Sequence, residues 1–470
     1  MANYYSRQCS RIPISLVMTI CAVGLWSRPL PAQDHLPQQP DIQQMEQKLE
    51  QLENEIEGLK KQMNAAAESV KVAVPGPSVP VTTDTRQAEE NSEQAEPSNK
   101  VDFYGFVMTD SGYNFGRINP DWFDVVRPTQ LPAFPGEFGP NGQTFFGVRQ
   151  TRFGVKTFTD TPLGELKTIF EFELFGTGVD AGQTTFRLRH AYGELGQFGA
   201  GQTWSPFMDI DVFPNSLEYW GPNGMVFFRN VQVRWMPLKG NNSVTVALER
   251  PGASADQGTY SGHIELQNVV PQFKWPDLSG NTRLTRKWGY VQIGGILRKI
   301  AWVDTVPVPF NLSGSAVGWG VSVSSNVYFT RNDTGKFQIV YGHGIENYMN
   351  DAPVDIGIKN TPLNPVAPIE GVALPVLGVV TFLDHNWSNR FSTSVGFSMV
   401  NISNSDGQAA GAFHQGYYAL GNLLYHPIER VTMGSEFQFG RRVNFLEPFS
   451  FNDYRVQFSF RYDWSKGFEF

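Results

Sequence analysis

The chain has 470 residues and a formal net charge of −8, with 17% charged and 13% aromatic residues. An average globular domain carries about a quarter charged residues, so this composition suits a chain with an extensive apolar outer surface. Both cysteines, Cys9 and Cys21, lie near the N-terminus, which excludes disulfides and thiolate metal sites from the rest of the chain. No basic patch supports nucleic-acid binding.

Residues 1–32 are predicted to be a signal peptide. Arg7 and Arg11 precede an apolar stretch at 12–26, which is too short to cross a bilayer, and Leu30-Pro31-Ala32 offers a cleavage site. The alternative is that this segment is not cleaved and anchors the protein in the membrane. The sequence therefore indicates an exported protein.

Residues 41–63 are predicted to form a parallel coiled coil in the periplasm. Apolar residues recur there at alternating intervals of three and four, as in a heptad seam: Ile42, Met45, Leu49, Leu52, Ile56, Leu59 and Met63. A single amphipathic helix is the alternative, and the pattern leaves open whether two or three helices associate. Residues 64–100 are rich in proline and glutamate, which predicts a disordered linker.

Residues 101–470 repeat one unit about eight times: two runs of alternating apolar and polar residues, joined by a long loop and then a short turn. Seven short turns and eight long loops predict about 16 antiparallel strands, with 18 as the alternative count. An even number of such strands is typical of a transmembrane β-barrel in the bacterial outer membrane. The predicted fold class is therefore all-β, a barrel preceded by a short coiled-coil helix. A soluble β-sandwich or propeller is the alternative fold.

The alternation also predicts which face each residue occupies. We expect Phe186, Leu188 and Tyr192 to face lipid, and Trp464 to end the last strand, with Phe470 as the competing terminal aromatic. Ten cations are predicted to face inward, namely Arg152, Lys156, Lys167, Arg187, Arg189, Arg234, Arg298, Arg442, Arg455 and Arg461, against the carboxylates Glu165, Glu171, Glu173, Glu436 and Asp463. A basic inner wall predicts preference for anions. Alternatively, these arginines pair with the glutamates and only stiffen the wall.

A loop after the fifth predicted strand, from Gly201 to Gly224, contains many aromatic residues and prolines for a segment in solvent. Burial inside the barrel would resolve that conflict, so we predict an inward-folded constriction loop whose acidic residues face the basic wall. The candidate pore and constriction residues are Arg152, Lys156, Arg187, Arg189, Arg234, Trp204, Asp209, Asp211 and Glu218.

Three segments resemble the DcaP-like family of outer-membrane porins: Leu188-Arg189-His190-Ala191-Tyr192-Gly193-Glu194, Ala200-Gly201-Gln202-Thr203-Trp204-Ser205 and Gly221-Pro222-Asn223-Gly224. The resemblance implies a sixteen-stranded trimeric porin that takes up small, often dicarboxylic, anions. The partners we expect are outer-membrane lipid and lipopolysaccharide, further copies of the chain in a homotrimer, small anionic solutes and, for the coiled coil, peptidoglycan.

The predicted function is a water-filled channel for passive uptake of small anions. We expect no enzyme activity and no cofactor, because the sequence has no Gly-x-Ser-x-Gly elbow and no phosphate-binding glycine loop, and its seven histidines are scattered. One alternative is a structural anchor that links the barrel to the cell wall through the coiled coil. Another is an outer-membrane hydrolase.

Overall fold

A computed structural model of the protein describes residues 99–252, 264–364 and 366–469. The predicted signal peptide, the predicted coiled coil and the linker up to residue 98 lie outside these described residues. Lys100, which we placed in the linker, is the first residue of a strand. Within the described ranges, no helix is long and apolar enough to cross a membrane.

Sixteen antiparallel strands close into one barrel, as the sequence predicted. The first strand pairs with the last along its whole length, so every strand has two neighbours and backbone groups are satisfied within the wall. In order around the barrel, the strands are β1 (Lys100–Asn114), β3 (Arg152–Thr161), β4 (Gly164–Phe175), β5 (Thr184–Leu195), β6 (Phe198–Trp204), β7 (Arg229–Leu238), β8 (Asn242–Glu249), β10 (Asp277–Arg286), β11 (Gly289–Asp304), β12 (Gly314–Tyr328), β13 (Asp333–His343), β16 (Pro375–Asn386), β17 (Phe391–Ile402), β18 (Phe413–Tyr425), β19 (Val431–Asn444) and β20 (Ser450–Glu469).

Four further strands belong to the loops. β2 (Gln143–Gly147) pairs with the C-terminal part of β1, and β9 (Val269–Pro271) pairs with the C-terminal end of β11, so both extend the wall locally. β14 (Ile356–Asn360) and β15 (Ile369–Ala373) form a separate hairpin. The alternative count of eighteen is therefore wrong for the closed barrel.

Connections differ between the two ends of the barrel. Seven turns of two to five residues join strands at the end where β1 begins and β20 finishes. Eight loops join them at the other end, and the longest span 115–151, 205–228, 250–276 and 344–374. In outer-membrane barrels the short turns are periplasmic and the long loops extracellular.

The predicted faces hold for most strands. On β20, Arg455, Gln457 and Ser459 are buried inside the barrel whereas Phe458 and Phe460 are exposed on its outer face. Aromatic and branched side chains on the outer face match a hydrocarbon environment.

Tyr192 is an exception, because our prediction that it faces lipid is wrong. A bulge in β5 places two consecutive residues, Arg189 and His190, on the inner side. His190 pairs with Glu171 of β4 and Leu188 pairs with Phe172, which leaves Arg189 as the extra residue. One extra residue reverses the faces of the rest of the strand. The ring of Tyr192 consequently lies 5.0 Å from the guanidinium of inward-facing Arg234.

The last strand extends beyond Trp464, contrary to our prediction that it ends there. Pairing with β1 continues through Phe468 and Glu469, which lie opposite Val101 and Lys100. The sequence Ser465-Lys466-Gly467 therefore does not interrupt the strand. Phe470, the competing terminal aromatic, lies outside the described residues.

The largest buried apolar cluster of the described residues lies inside the barrel. β16, β17 and β18 present apolar side chains inward, including Val380, Val400 and Leu420, and segments of two long loops cover them. Strands that are apolar on both faces must be buried on both. The interior next to these strands is consequently packed with protein.

Candidate functional site

Segment 205–228, between β6 and β7, lies against the inner wall. β6 is the fifth strand of the barrel, so this is the loop in which we predicted a constriction. Its backbone accepts hydrogen bonds from inward-facing side chains around the circumference, and it donates others to them. The contacts are Asn326 Nδ2 to Asp211 O at 2.9 Å, Lys336 Nζ to Phe213 O at 2.5 Å, Asn422 Nδ2 to Asn215 O at 2.8 Å, Gly224 N to Ser398 Oγ at 2.8 Å and Val226 N to Gln338 Oε1 at 2.9 Å.

Gly224 allows this segment to touch the wall itself. A Cβ at that position would lie 2.0 Å from the carbonyl oxygen of Met399 and 2.9 Å from the backbone nitrogen of Val379. Gly378 on the wall lies just as close to the segment, since a Cβ added to Gly378 would lie 2.2 Å from Gly224 O. Two glycines therefore bring the two backbones into contact, which larger residues would prevent.

Four arginines surround two glutamates on the opposite part of the wall. Glu171 and Glu173 lie on β4, and Arg189 bridges them with one 2.6 Å contact to each carboxylate. Arg152, Arg187 and Arg229 approach Glu173 at 3.3, 3.4 and 3.7 Å. We call these six residues the arginine–glutamate cluster.

The cluster brings four guanidinium groups close to two carboxylates, and Arg187 and Arg229 take part in further interactions. Glu173 and Arg229 are almost completely buried, so this region is shielded from solvent. Tyr219 of segment 205–228 donates a hydrogen bond to Glu173, so the segment and the wall meet at this point. The arginines therefore pair with the glutamates, as our alternative interpretation expected, and the preference for anions stays a prediction.

Cavities lie on both sides of the cluster. One, of about 50 Å³, is lined by residues of the cluster and of segment 205–228, including Arg187, Tyr219 and Arg229. The other, of about 330 Å³, is lined by Arg152 and Glu171 together with residues at the short-turn end. The cluster consequently separates two spaces inside the barrel.

Three other predicted site residues lie beside the cluster. Trp204 packs edge-on against His190, and its ring is 5.4 Å from the guanidinium of Arg189. Arg234 donates to the carbonyl oxygen of Trp204 at 2.5 Å. Lys156 lies in the cavity at the short-turn end, where its ammonium group is 5.0 Å from the ring of Tyr104.

The predicted acidic residues of the loop do not face the cluster. Asp209 and Asp211 both contact Arg283 of β10, and Asp209 also accepts hydrogen bonds from Tyr290 and Ser324. They anchor the loop to the β10–β12 part of the wall, away from the four arginines that we expected them to face.

Glu218 is bound within the loops. Its carboxylate accepts hydrogen bonds from Val126 N at 3.0 Å and Gly221 N at 2.5 Å, and Tyr418 donates to it at 3.2 Å. Burial raises the pKa of Glu218 to about 7, and the neighbouring carboxylate of Glu436 adds to the increase.

Two other loops are tied to segment 205–228 inside the barrel. Asp351 accepts from Arg127 Nε at 2.9 Å, which joins loop 344–374 to loop 115–151. Asn350 Nδ2 donates to Trp220 O at 2.6 Å, and the guanidinium of Arg127 lies 4.0 Å from the Trp220 ring. The three loops therefore form one connected structure.

The sequence analysis missed several inward-facing charges. Arg229 was missed because strict alternation from Val231 and Val233 places it outside, whereas Arg229 and Asn230 are both buried at the start of β7. The inward carboxylates Asp110, Glu249, Asp277 and Asp453 were also omitted. The alternation of Leu248 and Leu278 with their neighbours could have identified Glu249 and Asp277. The inner wall therefore carries more carboxylates than predicted.

Comparison with known proteins identifies the family. The model of the family described as DcaP outer membrane protein matches residues 78–463. The chain belongs to this family. It is therefore an outer-membrane channel protein built as a closed barrel of sixteen strands. No curated protein matches the chain.

Solved structures agree with the assignment of the fold. The outer membrane channel DcaP of Acinetobacter baumannii is 18% identical with a TM-score of 0.63, over 78% of this chain and 97% of that one. An anion-selective porin from Comamonas acidovorans is 9% identical with a TM-score of 0.49, over 78% of this chain and 100% of that one. A loop-deletion variant of OmpT from Vibrio cholerae is 13% identical with a TM-score of 0.48, over 78% and 99%.

Proposed function

We propose that the protein is a porin for passive uptake of small anionic solutes, and that segment 205–228 forms its constriction. The observation that carries this proposal is the concentration of four guanidinium groups in the arginine–glutamate cluster, at the point where Tyr219 of that segment meets the wall. Charged groups at a narrow point determine which ions pass.

The route we propose runs beside β3, β4, β5 and the start of β7. The opposite half of the interior is packed with apolar side chains, which offer no hydration to a permeating ion. The two cavities on either side of the cluster would then be the two approaches to the constriction.

We further propose dicarboxylates as a solute class. The family resemblance implies them, and the cluster brings together four guanidinium groups. Arginine suits this role because its planar guanidinium group can bind a carboxylate through two hydrogen bonds. Assembly as a homotrimer, contact with lipopolysaccharide, a periplasmic coiled coil and contact of that coil with peptidoglycan belong to the same proposal.

Planar-bilayer recording tests the proposal. The purified, folded protein should show stepwise conductance, and reversal potentials in a salt gradient should indicate preference for anions. A protein that inserts and shifts its mobility on heating in gels, yet never conducts, would exclude a porin and favour a structural anchor. Conductance with preference for cations would retain the porin but refute the assigned role of the cluster.

A further inference from the structure

The cavity of about 330 Å³ lies at the short-turn end of the barrel, on the periplasmic side of the arginine–glutamate cluster. Four cationic side chains line it, together with two carboxylates: Arg152, Lys156, Arg430, Arg461, Glu171 and Asp463. We call it the periplasmic cavity. It shares Arg152 and Glu171 with the cluster, so the two adjoin.

Both carboxylates of the periplasmic cavity are already bound. Glu171 contacts Arg189 at 2.6 Å and accepts a hydrogen bond from the hydroxyl of Tyr104 at 2.7 Å. Asp463 binds Arg461, with contacts from Nε at 3.0 Å and from Nη2 at 2.6 Å to the same oxygen. Neither carboxylate neutralises Lys156, which forms no ion pair among the residues that the structure describes.

The arginines of the cavity are held in place before any ligand arrives. The guanidinium of Arg461 lies 4.0 Å from the ring of Phe106, and that of Arg152 lies 5.1 Å from the same ring. Stacking and ion pairing both restrict side-chain motion, so less conformational entropy is lost on binding.

Arg430 is held at the rim by the backbone. It occupies the turn between β18 and β19 with a φ of 67°, a left-handed conformation that is uncommon for a residue other than glycine. Its carbonyl oxygen accepts a 2.8 Å hydrogen bond from Asp463 N, which fixes the turn against β20. The turn therefore presents an arginine where glycine would be less strained.

We propose that the periplasmic cavity is an anion-binding subsite, separate from the constriction, that takes small oxyanions bearing a carboxylate or phosphate group. Lys156 and Arg430 bind the oxyanion directly, since ammonium and guanidinium groups are the usual ligands of such groups in proteins. This inference rests on the proposed channel function in one respect only, namely that the anion reaches the cavity through the channel. Adjacent binding sites of moderate strength allow an ion to leave one as it enters the next.

Titration of the folded full chain in detergent with inorganic phosphate, followed by calorimetry, tests the subsite. The double variant Lys156→Gln/Arg430→Gln should lose at least about tenfold in phosphate affinity, which corresponds to the loss of one charge-assisted hydrogen bond. The matched control is Lys239→Gln/Lys287→Gln, which removes two positive charges from exposed short turns outside the cavity. Its phosphate affinity should stay within about twofold of the unmodified protein. Lys156→Arg should retain binding, and heat-dependent mobility in gels confirms that each variant is folded.

An equal loss of phosphate affinity in both double variants would overturn the proposal, because it would mean that the overall positive potential at the short-turn end attracts phosphate. Unchanged phosphate affinity in both double variants would also overturn it. Failure of the proposed channel function is a distinct result: phosphate would bind with the expected dependence on Lys156 and Arg430 while bilayer recordings showed no conductance.

Discussion

Arg187 offers a direct test of selectivity because its charge can be removed while Glu173 keeps other cationic partners. Its guanidinium lines the cavity on the loop side, and its side chain is 10% exposed. Without it, Glu173 would keep its contacts with Arg189, Arg152 and Arg229 and its hydrogen bond from Tyr219. The variant Arg187→Gln should therefore fold and remove one of the four positive charges of the cluster.

Coulomb's law gives the expected size of the effect. A unit charge acting through water on a monovalent anion about 5 Å away contributes about 0.8 kcal/mol, or about a fourfold change in partitioning. Lower effective dielectric near protein would increase that value and salt would decrease it. Because the same charge attracts chloride and repels potassium, we expect the chloride-to-potassium permeability ratio to fall about sixteenfold.

Reversal potentials in a potassium chloride gradient measure this ratio. The matched control is Lys299→Gln, which removes one positive charge from the exposed outer face of β11 and should leave the ratio unchanged. If Arg187→Gln keeps the ratio of the unmodified protein, or if Lys299→Gln changes it as much, the cluster is not the selectivity filter.

Three further predictions concern the loop and the N-terminus. Gly224→Val should displace segment 205–228 from the wall, because its Cβ would lie 2.0 Å from Met399 O, and should change single-channel conductance. Gly295→Val, whose Cβ meets nothing closer than 3.9 Å, is the control, and equal conductance in both variants would contradict the proposed constriction. Since burial raises the pKa of Glu218 to about 7, the folded protein binds more protons than the unfolded chain between about pH 4.5 and 7. The free energy of unfolding should therefore fall by up to about 3 kcal/mol across that window as pH rises. Urea titrations at pH 4.5 and 7.5 should show this change in the free energy of unfolding. The variant Glu218→Gln should reduce the change. If the variant keeps the pH dependence of the unmodified protein, other groups are responsible for it. The variant Leu49→Cys should form crosslinks between subunits through the predicted coiled coil. Deletion of residues 33–98 should leave a protein that runs as trimers on gels. Monomers after this deletion would mean that the coiled coil drives assembly.

The sequence predicted the barrel well because its physics is periodic. Alternation with a period of two, interrupted by turn residues, identifies strands and their faces without knowledge of tertiary contacts. Sixteen strands, the inner residues of β20 and the inner position of Arg152 all follow from that pattern. The pattern fails where the backbone departs from regular pairing, as at the bulge beside Arg189 that turns Tyr192 inward.

The contents of the barrel were harder to predict. Aromatic residues and prolines in 205–228 indicated burial, but the partners of Asp209 and Asp211 depend on Arg283, which is distant in sequence. Loop 344–374 gave no comparable signal. One available signal was overlooked: the run Pro375-Val376-Leu377-Gly378-Val379-Val380 is apolar on both faces, which is typical of a strand buried on both sides rather than one beside water.

The apolar half of the barrel interior determines where the polar half lies. Strands β16–β18 carry inward apolar side chains that would be unfavourable in a water-filled channel, and Phe207, Met225 and Met349 from two loops cover them. Once the loops occupy that side, polar space remains beside β3–β5, where four arginines exceed two glutamates. Apolar burial thus determines where the loops lie, and in our proposal the charges opposite them determine which solutes the remaining space favours. The proposed constriction and its proposed selectivity are therefore separable properties: changes at Gly224 should alter the first and changes at Arg187 the second.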